Sequence, residues 1–153
     1  MDKKQNYQTL SKQINALLET ETDCIANMAN VSAALFNELP DINWAGFYVV
    51  KNGELVLGAF QGKPACVRIS FGKGVCGTAA QTARTQVVKN VHEFAGHIAC
   101  DSASNSEIVI PIFKNDKVWG VLDIDSPLLA RFDETDKQYL EEIVKNFEKK
   151  TNL

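Results

Sequence analysis

Hydrophobic positions recur along this chain in two rhythms, one near 3.6 residues and one of 2, the periods of helices and strands. Tyr7, Leu10, Ile14, Leu17 and Leu18 fall on one helical stripe and predict a first amphipathic helix. Cys24, Met28, Val31 and Leu35 form a second stripe. Thr22 or Asp23 stands where a side-chain oxygen can accept from the unpaired amides of that helix's first turn. Cys24 belongs to the stripe and reads as a small buried hydrophobe. Pro40-Asp41 ends the helix, and the period then drops to 2. From Asn43 to Val50, Trp44, Gly46, Tyr48 and Val50 share one strand face, while Ala45, Phe47 and Val49 share the other. Asn52-Gly53 is a hairpin signal that returns the chain as Leu55 to Phe60.

After a turn at 61–65, a short strand is expected over Cys66 to Ile69. A glycine-rich turn at 71–77 then feeds a helix over about 78–83, followed by a short strand at 86–88. Glu107 to Phe113 and Val118 to Asp125 form a second hairpin. Strict alternation sends Val118, Gly120, Leu122 and Ile124 to one face, and Trp119, Val121, Asp123 and Asp125 to the other. Asp133 caps a last helix through about Glu148, with Leu140, Ile143, Val144 and Phe147 on its apolar face. Hairpins imply an antiparallel sheet, and terminal helices would cover one face of it, an α+β arrangement.

Bulk properties narrow the function classes. A chain of 153 residues fits one domain with a sizeable core. A net charge of −3 argues against nucleic-acid binding. The polar N-terminus lacks the apolar core of a signal peptide, and no apolar run approaches the ~18 residues of a membrane span. The expectation is a soluble, cytoplasmic protein with no membrane partner. Thiols there are normally reduced. The cysteines at 24, 66, 76 and 100 contain no C-x-x-C pair, so neither a zinc knuckle nor a thioredoxin-type motif is expected. The turn at 71–77 lacks the G-K-[ST] ending of a phosphate-binding loop.

Chemistry is concentrated in Gly96 to Pro111, G-H-I-A-C-D-S-A-S-N-S-E-I-V-I-P. Its single cysteine, Cys100, sits among small polar turn-forming residues, not in an apolar pattern. Asp123 and Asp125 aim at one surface, and Glu107 on the neighbouring strand can reach the same pocket. Three carboxylates beside the Trp44 and Tyr48 face suit a ligand with a cationic amine and an apolar portion. On an open surface the acids would mean nothing more than solvation. A thiol next to a carboxyl kept protonated by its neighbours is the combination sulfoxide reduction requires. The thiolate attacks sulfur, the oxygen is protonated, and the resulting sulfenic acid can condense with a second thiol. Cys66 and Cys76 both offer that thiol. His97 could polarise Cys100, although a structural role is at least as consistent, and His92 has no evident partner.

The motifs N-W-A-G-F-Y, G-K-G-V-C-G-T-A, the Cys100 stretch and G-V-L-D-I-D-S together resemble the free methionine-(R)-sulfoxide reductases, a GAF-domain family. The similarity runs from Asn43 through the final helix; the N-terminal helices match in character only. The resemblance implies a single GAF domain over 1–153, with N-terminal helices at 1–38 and the core and last helix at 43–149. It implies a central antiparallel sheet with helices on one side and a ligand cavity on the other. Cys100 carries over as nucleophile, Cys66 as resolving cysteine, and Cys76 as a further cysteine able to form or relay a disulfide. Trp44 and Tyr48 carry over as the aromatic wall, and Glu107, Asp123 and Asp125 as the acids that engage the amine and the sulfoxide oxygen. Electrons are expected from thioredoxin, with no metal or organic cofactor.

Two other readings compete: a non-catalytic GAF sensor of a cyclic nucleotide or other small ligand, and a thiol switch whose disulfide is itself the signal. The sequence leaves open which of Cys66 and Cys76 attacks first and which carboxyl carries the proton. It equally leaves open whether the terminal helices pair two copies in a homodimer or simply cover the sheet.

Overall fold

The computed structural model describes residues 2–96 and 103–153. Helix α1 (Lys3–Glu19) starts at a reciprocal capping box: Asp2 accepts from the Gln5 amide at 2.8 Å, and the Gln5 side chain accepts from Asp2 N–H. Its inner face is Tyr7, Leu10, Ile14 and Leu18. Leu17, expected in that stripe, lies at its margin and is exposed. Asp23, not Thr22, caps α2 (Cys24–Glu38) by accepting from Ala26 N–H at 2.9 Å. Met28, Val31 and Leu35 face inward, and Cys24 packs half-buried against the same core.

Strands β1 (Trp44–Lys51) and β2 (Glu54–Gly62) are joined by Asn52-Gly53, both at positive φ (52° and 81°). That is the geometry of a tight hairpin turn and the reason glycine stands there. β3 (Arg68–Ser70) is shorter than expected and leaves Cys66 in the loop before it. Helix α3 (Gly74–Thr82) begins four residues before the predicted start and takes in Cys76. Gly77 permits this, because a Cβ there would lie 2.4 Å from the Ser70 carbonyl oxygen. β4 (Gln86–Val88), β5 (Ser106–Lys114), β6 (Lys117–Ser126) and α4 (Glu134–Lys150) complete the fold.

The six strands run in the order β3-β2-β1-β6-β5-β4, and every neighbouring pair is antiparallel. The expected α+β arrangement is the one observed. Ala45, Phe47, Ile108, Ile110, Leu122 and Ile124 project from one face into a core shared with α1, α2 and α4, so the apolar faces of these helices are spent on the sheet. Trp44, Tyr48, Val109 and Val121 project from the other face, where α3 packs through Val75, Cys76, Ala79 and Ala80.

Two predicted faces on β6 are wrong, those of Val118, which packs on the cleft side, and of Trp119. Trp119 does not lie beside Asp123 and Asp125 but packs on the helix side, tilted against Phe147 with ring centroids 6.3 Å apart. The register explains it: Ile112 pairs with Gly120, whereas Phe113 pairs with Val118. Two steps on β6 thus match one on β5, and this bulge turns Trp119 to the opposite face.

Candidate active site

Three strands bring the sequence-predicted acids and aromatics into one row. Trp44 on β1 pairs with Asp125 on β6, which pairs with Glu107 on β5. In the next row Gly46 faces Asp123, and in the third Tyr48 faces Val121. Since neighbouring strands lie about 4.8 Å apart, this register places side chains from three sequence-distant segments in mutual contact range. Trp44, Tyr48, Glu107, Asp123 and Asp125 all line one cleft, closed on the far side by Cys76 and Val75 of α3 and by Pro64 and Ala65 of the loop after β2.

The aromatic wall is built by close packing. Trp44 stacks between Tyr48, at 6.0 Å, and Phe60, at 5.1 Å between ring centroids. Phe60 was not singled out from sequence, although the hairpin register puts it directly opposite Gly46. A Cβ on Gly46 would fall 2.2 Å from Phe60 Cβ and 2.9 Å from the Trp44 ring, so the stack requires glycine there. The polar tips of both wall residues hold the loop that carries Cys66. Trp44 Nε1–H donates to the Lys63 carbonyl at 3.0 Å, and the Tyr48 hydroxyl donates to the Cys66 carbonyl at 2.8 Å.

The acids sit in an environment hostile to charge. Asp123 is 5 % exposed, and its Oδ1 has no hydrogen-bond partner among the described residues. Burial, followed by the charges of Asp123 and Asp125, pushes the Glu107 carboxyl well above its ordinary range. Burial raises Asp123 too, but hydrogen bonds with Glu107, Asp125 and Cys76 oppose the rise. A proton is therefore retained by the cluster as a whole, the pattern of carboxyls in which one member cannot ionise beside the other.

Cys76 is the reverse of a reactive thiol. It lies in the first turns of α3, 4 % exposed, with Sγ 3.9 Å from Glu107 Oε2. Burial and then the Asp123, Glu107 and Asp125 charges push its titration well upward. The reading of 71–77 as a glycine-rich turn is corrected here: its later glycines lie in the entry to a helix that buries Cys76. Cys24 and Cys76 are free thiols, whereas Cys66, half-buried in its loop, is disulfide-bonded. Cys100 and His97 lie outside the described residues. His92, for which the sequence suggested no partner, pairs through Nε2 with Asn105 Oδ1 at 2.8 Å.

The GAF-domain model matches residues 9–149. The chain belongs to the GAF family. Within that family it is similar to the free methionine-R-sulfoxide reductase of Escherichia coli strain K12, 52% identical over 149 residues that cover 97% of this chain and 90% of the relative. Among solved structures it resembles the reduced form of the fRMsr of Staphylococcus aureus at a TM-score of 0.93 and 59% identity, covering 95% of this chain and 94% of that one. It also superposes on the free methionine-R-sulfoxide reductase of Neisseria meningitidis in complex with its substrate, with a TM-score of 0.95 and 47% identity over 98% of this chain and 90% of that one. In this GAF domain, as in the sequence expectation, helices α1, α2 and α4 cover one face of the sheet and the cleft opens on the other.

Proposed function

We propose that this GAF domain reduces free L-methionine-(R)-sulfoxide to methionine in the cytoplasm. The observation that carries the reading is the juxtaposition in one cleft of a Trp44–Tyr48 wall with the buried acids Glu107, Asp123 and Asp125. The wall accommodates the sulfoxide's methyl and methylene groups. The acids take the α-amine, whose positive charge relieves their mutual repulsion, and Lys73 at the rim suits the α-carboxylate. A methionine within a peptide lacks that amine. It would leave buried carboxylates unpaired, at a cost of at least ~1–3 kcal/mol. The relatives named as free methionine-R-sulfoxide reductases support this reading.

In the reaction, the Cys100 sulfur attacks the sulfoxide sulfur, and the acid cluster of Glu107, Asp123 and Asp125 protonates the sulfoxide oxygen. The hydroxyl then passes from the substrate sulfur to the Cys100 sulfur as the bond between the two sulfurs breaks; methionine leaves with that bond's electron pair on its sulfur, and Cys100, oxidised by two electrons, is left as a sulfenic acid. A second thiol then attacks that sulfur and releases water. The half-buried loop position of Cys66, against the buried and protonated state of Cys76, supports Cys66 as the first resolving thiol. Cys76 keeps the slower relay role. Cys24 and Cys76 being free while Cys66 is bonded is in accord with a Cys66–Cys100 disulfide. Thioredoxin returns two electrons to that disulfide.

A cyclic-nucleotide sensor fits less well, since three acids in the cleft oppose a phosphate. The test is consumption of free R and S methionine sulfoxides and of a peptide sulfoxide, with thioredoxin as reductant. Selective loss of the free R form, abolished by Cys100→Ser, is expected. Retained turnover in Cys100→Ser, or equal use of the peptide, would refute the reading.

A further inference from the structure

The α3 side of the cleft holds a group that recognition of an amine does not call for: the thiol of Cys76. We propose that Cys76, Glu107 and Asp123 form a binding site for a divalent cation of the zinc type, and that such an ion competes with the sulfoxide substrate. The sulfur and one carboxylate oxygen from each acid all lie within 4.8 Å of one another. Cys76 Sγ and Glu107 Oε2 are 3.9 Å apart. Tetrahedral zinc, with bonds of about 2.0–2.3 Å, sets its ligand atoms about 3.3–3.8 Å apart, so the three atoms need to close by at most about 1.5 Å. Side-chain rotation supplies that much without moving the sheet.

A second observation points to a ligand independently of the clustering. Asp123 Oδ1 is buried with no hydrogen-bond partner among the described residues, on a side chain that otherwise meets Glu107, Asp125 and Cys76. Buried polar atoms are rarely left so without a function. An ammonium would satisfy that oxygen but gains little from a thiol, whereas a borderline-soft dication uses sulfur and oxygen together. The three ligands come from α3, β6 and β5, elements packed against one another, which makes the arrangement a built site and not a chance meeting of loop side chains. Binding replaces the Cys76 proton with the ion and releases the proton to solvent, as metal capture by thiols requires. Asp125, paired with Glu107 across the strands, lines the same cleft.

Only the competition with substrate rests on the reading given under Proposed function; the site itself does not, so the measurement is spectroscopic. Oxidised protein, with Cys66 in its disulfide, is titrated with Co2+. The expected result is a sulfur-to-cobalt charge-transfer band that saturates at one ion per chain and is bleached by Zn2+. The band is lost in Cys76→Ser and retained in Cys24→Ser, and Asp123→Asn weakens binding at least tenfold. X-ray absorption on the zinc-loaded wild type, which needs no variant to fold, should find one sulfur among the ligands. Free L-methionine-(R)-sulfoxide should raise the apparent Kd for Co2+. No band, a band that survives Cys76→Ser, or a zinc shell of oxygen and nitrogen alone overturns the site. An apparent Kd indifferent to the sulfoxide overturns the competition.

Discussion

Replacing Tyr48 with phenylalanine separates the two tasks of the aromatic wall. The substitution keeps the ring that stacks on Trp44 and walls the cleft, and removes one oxygen. That oxygen donates to the Cys66 carbonyl at 2.8 Å, and Tyr48 itself is 2 % exposed, so water is poorly placed to replace the donor. A neutral hydrogen bond of this kind is worth about 0.5–1.5 kcal/mol net. At 1.36 kcal/mol per decade, that is roughly a 2- to 12-fold loss in the population of the loop position that presents Cys66. Trp44 keeps its own bond to Lys63, so the loop is loosened and not released. In single-turnover experiments the first methionine should form at the wild-type rate, because the ring is unchanged. Closure of the disulfide, followed by loss of free thiol, should slow by that factor. Urea unfolding should show a destabilisation in the same range. Wild-type disulfide closure in a variant destabilised as expected would refute the idea that the hydroxyl positions Cys66. A defect confined to the first step would place the hydroxyl's role in substrate binding instead.

Three further outcomes follow from the same geometry. Glu107 and Asp123 titrate above their unfolded values, so the stability they contribute is full below the unfolded carboxyl range and is lost as pH rises through the folded values. Glu107→Gln should therefore gain on wild type as pH rises above about 4.3, with a slope of up to about 1.4 kcal/mol per pH unit for each proton; a stability difference flat from pH 4 to 8 in urea titrations would refute this. Gly46→Ala should cost about 1–3 kcal/mol or more and red-shift Trp44 fluorescence, because the added carbon meets the Phe60 backbone at 2.7 Å as well as its Cβ. Asp136→Ala should cost about 3–5 kcal/mol. It strips the Tyr7 hydroxyl (2.6 Å), Lys3 (2.9 Å) and the nearly buried Arg131 (3.2 Å) of their shared partner. Sulfoxide turnover per folded molecule should stay unchanged, since this network ties α1 to α4 away from the cleft.

How far the site was legible depended on whether the backbone kept its local period. The faces of β1 followed from alternation alone, because Trp44 and Tyr48 stand in regular register with β6. Asp123 and Asp125 were legible for the same reason. Trp119, two residues before Val121, was not, because the step between Gly120 and Val118 breaks the count. A bulge leaves no periodic trace in the strand that bears it; it is fixed by how the partner strand and Phe147 pack. Cys76 was misplaced by the converse error. A glycine run reads as a turn, and only close approach to Ser70 reveals that Gly77 lies inside a helix. The tethers from Trp44 and Tyr48 to the Cys66 loop join residues 18 or 19 positions apart through backbone carbonyls, which carry no side-chain signature at all. The position of the bulge matters most. It sits N-terminal to Val121, so the half of β6 that carries the acids keeps the alternation that aims them at Trp44 and Glu107. The same extra residue placed after Val121 would have turned Asp123 and Asp125 into the helix-side core. There they would have met Phe47, Leu140 and Phe147 with no partner for their charge.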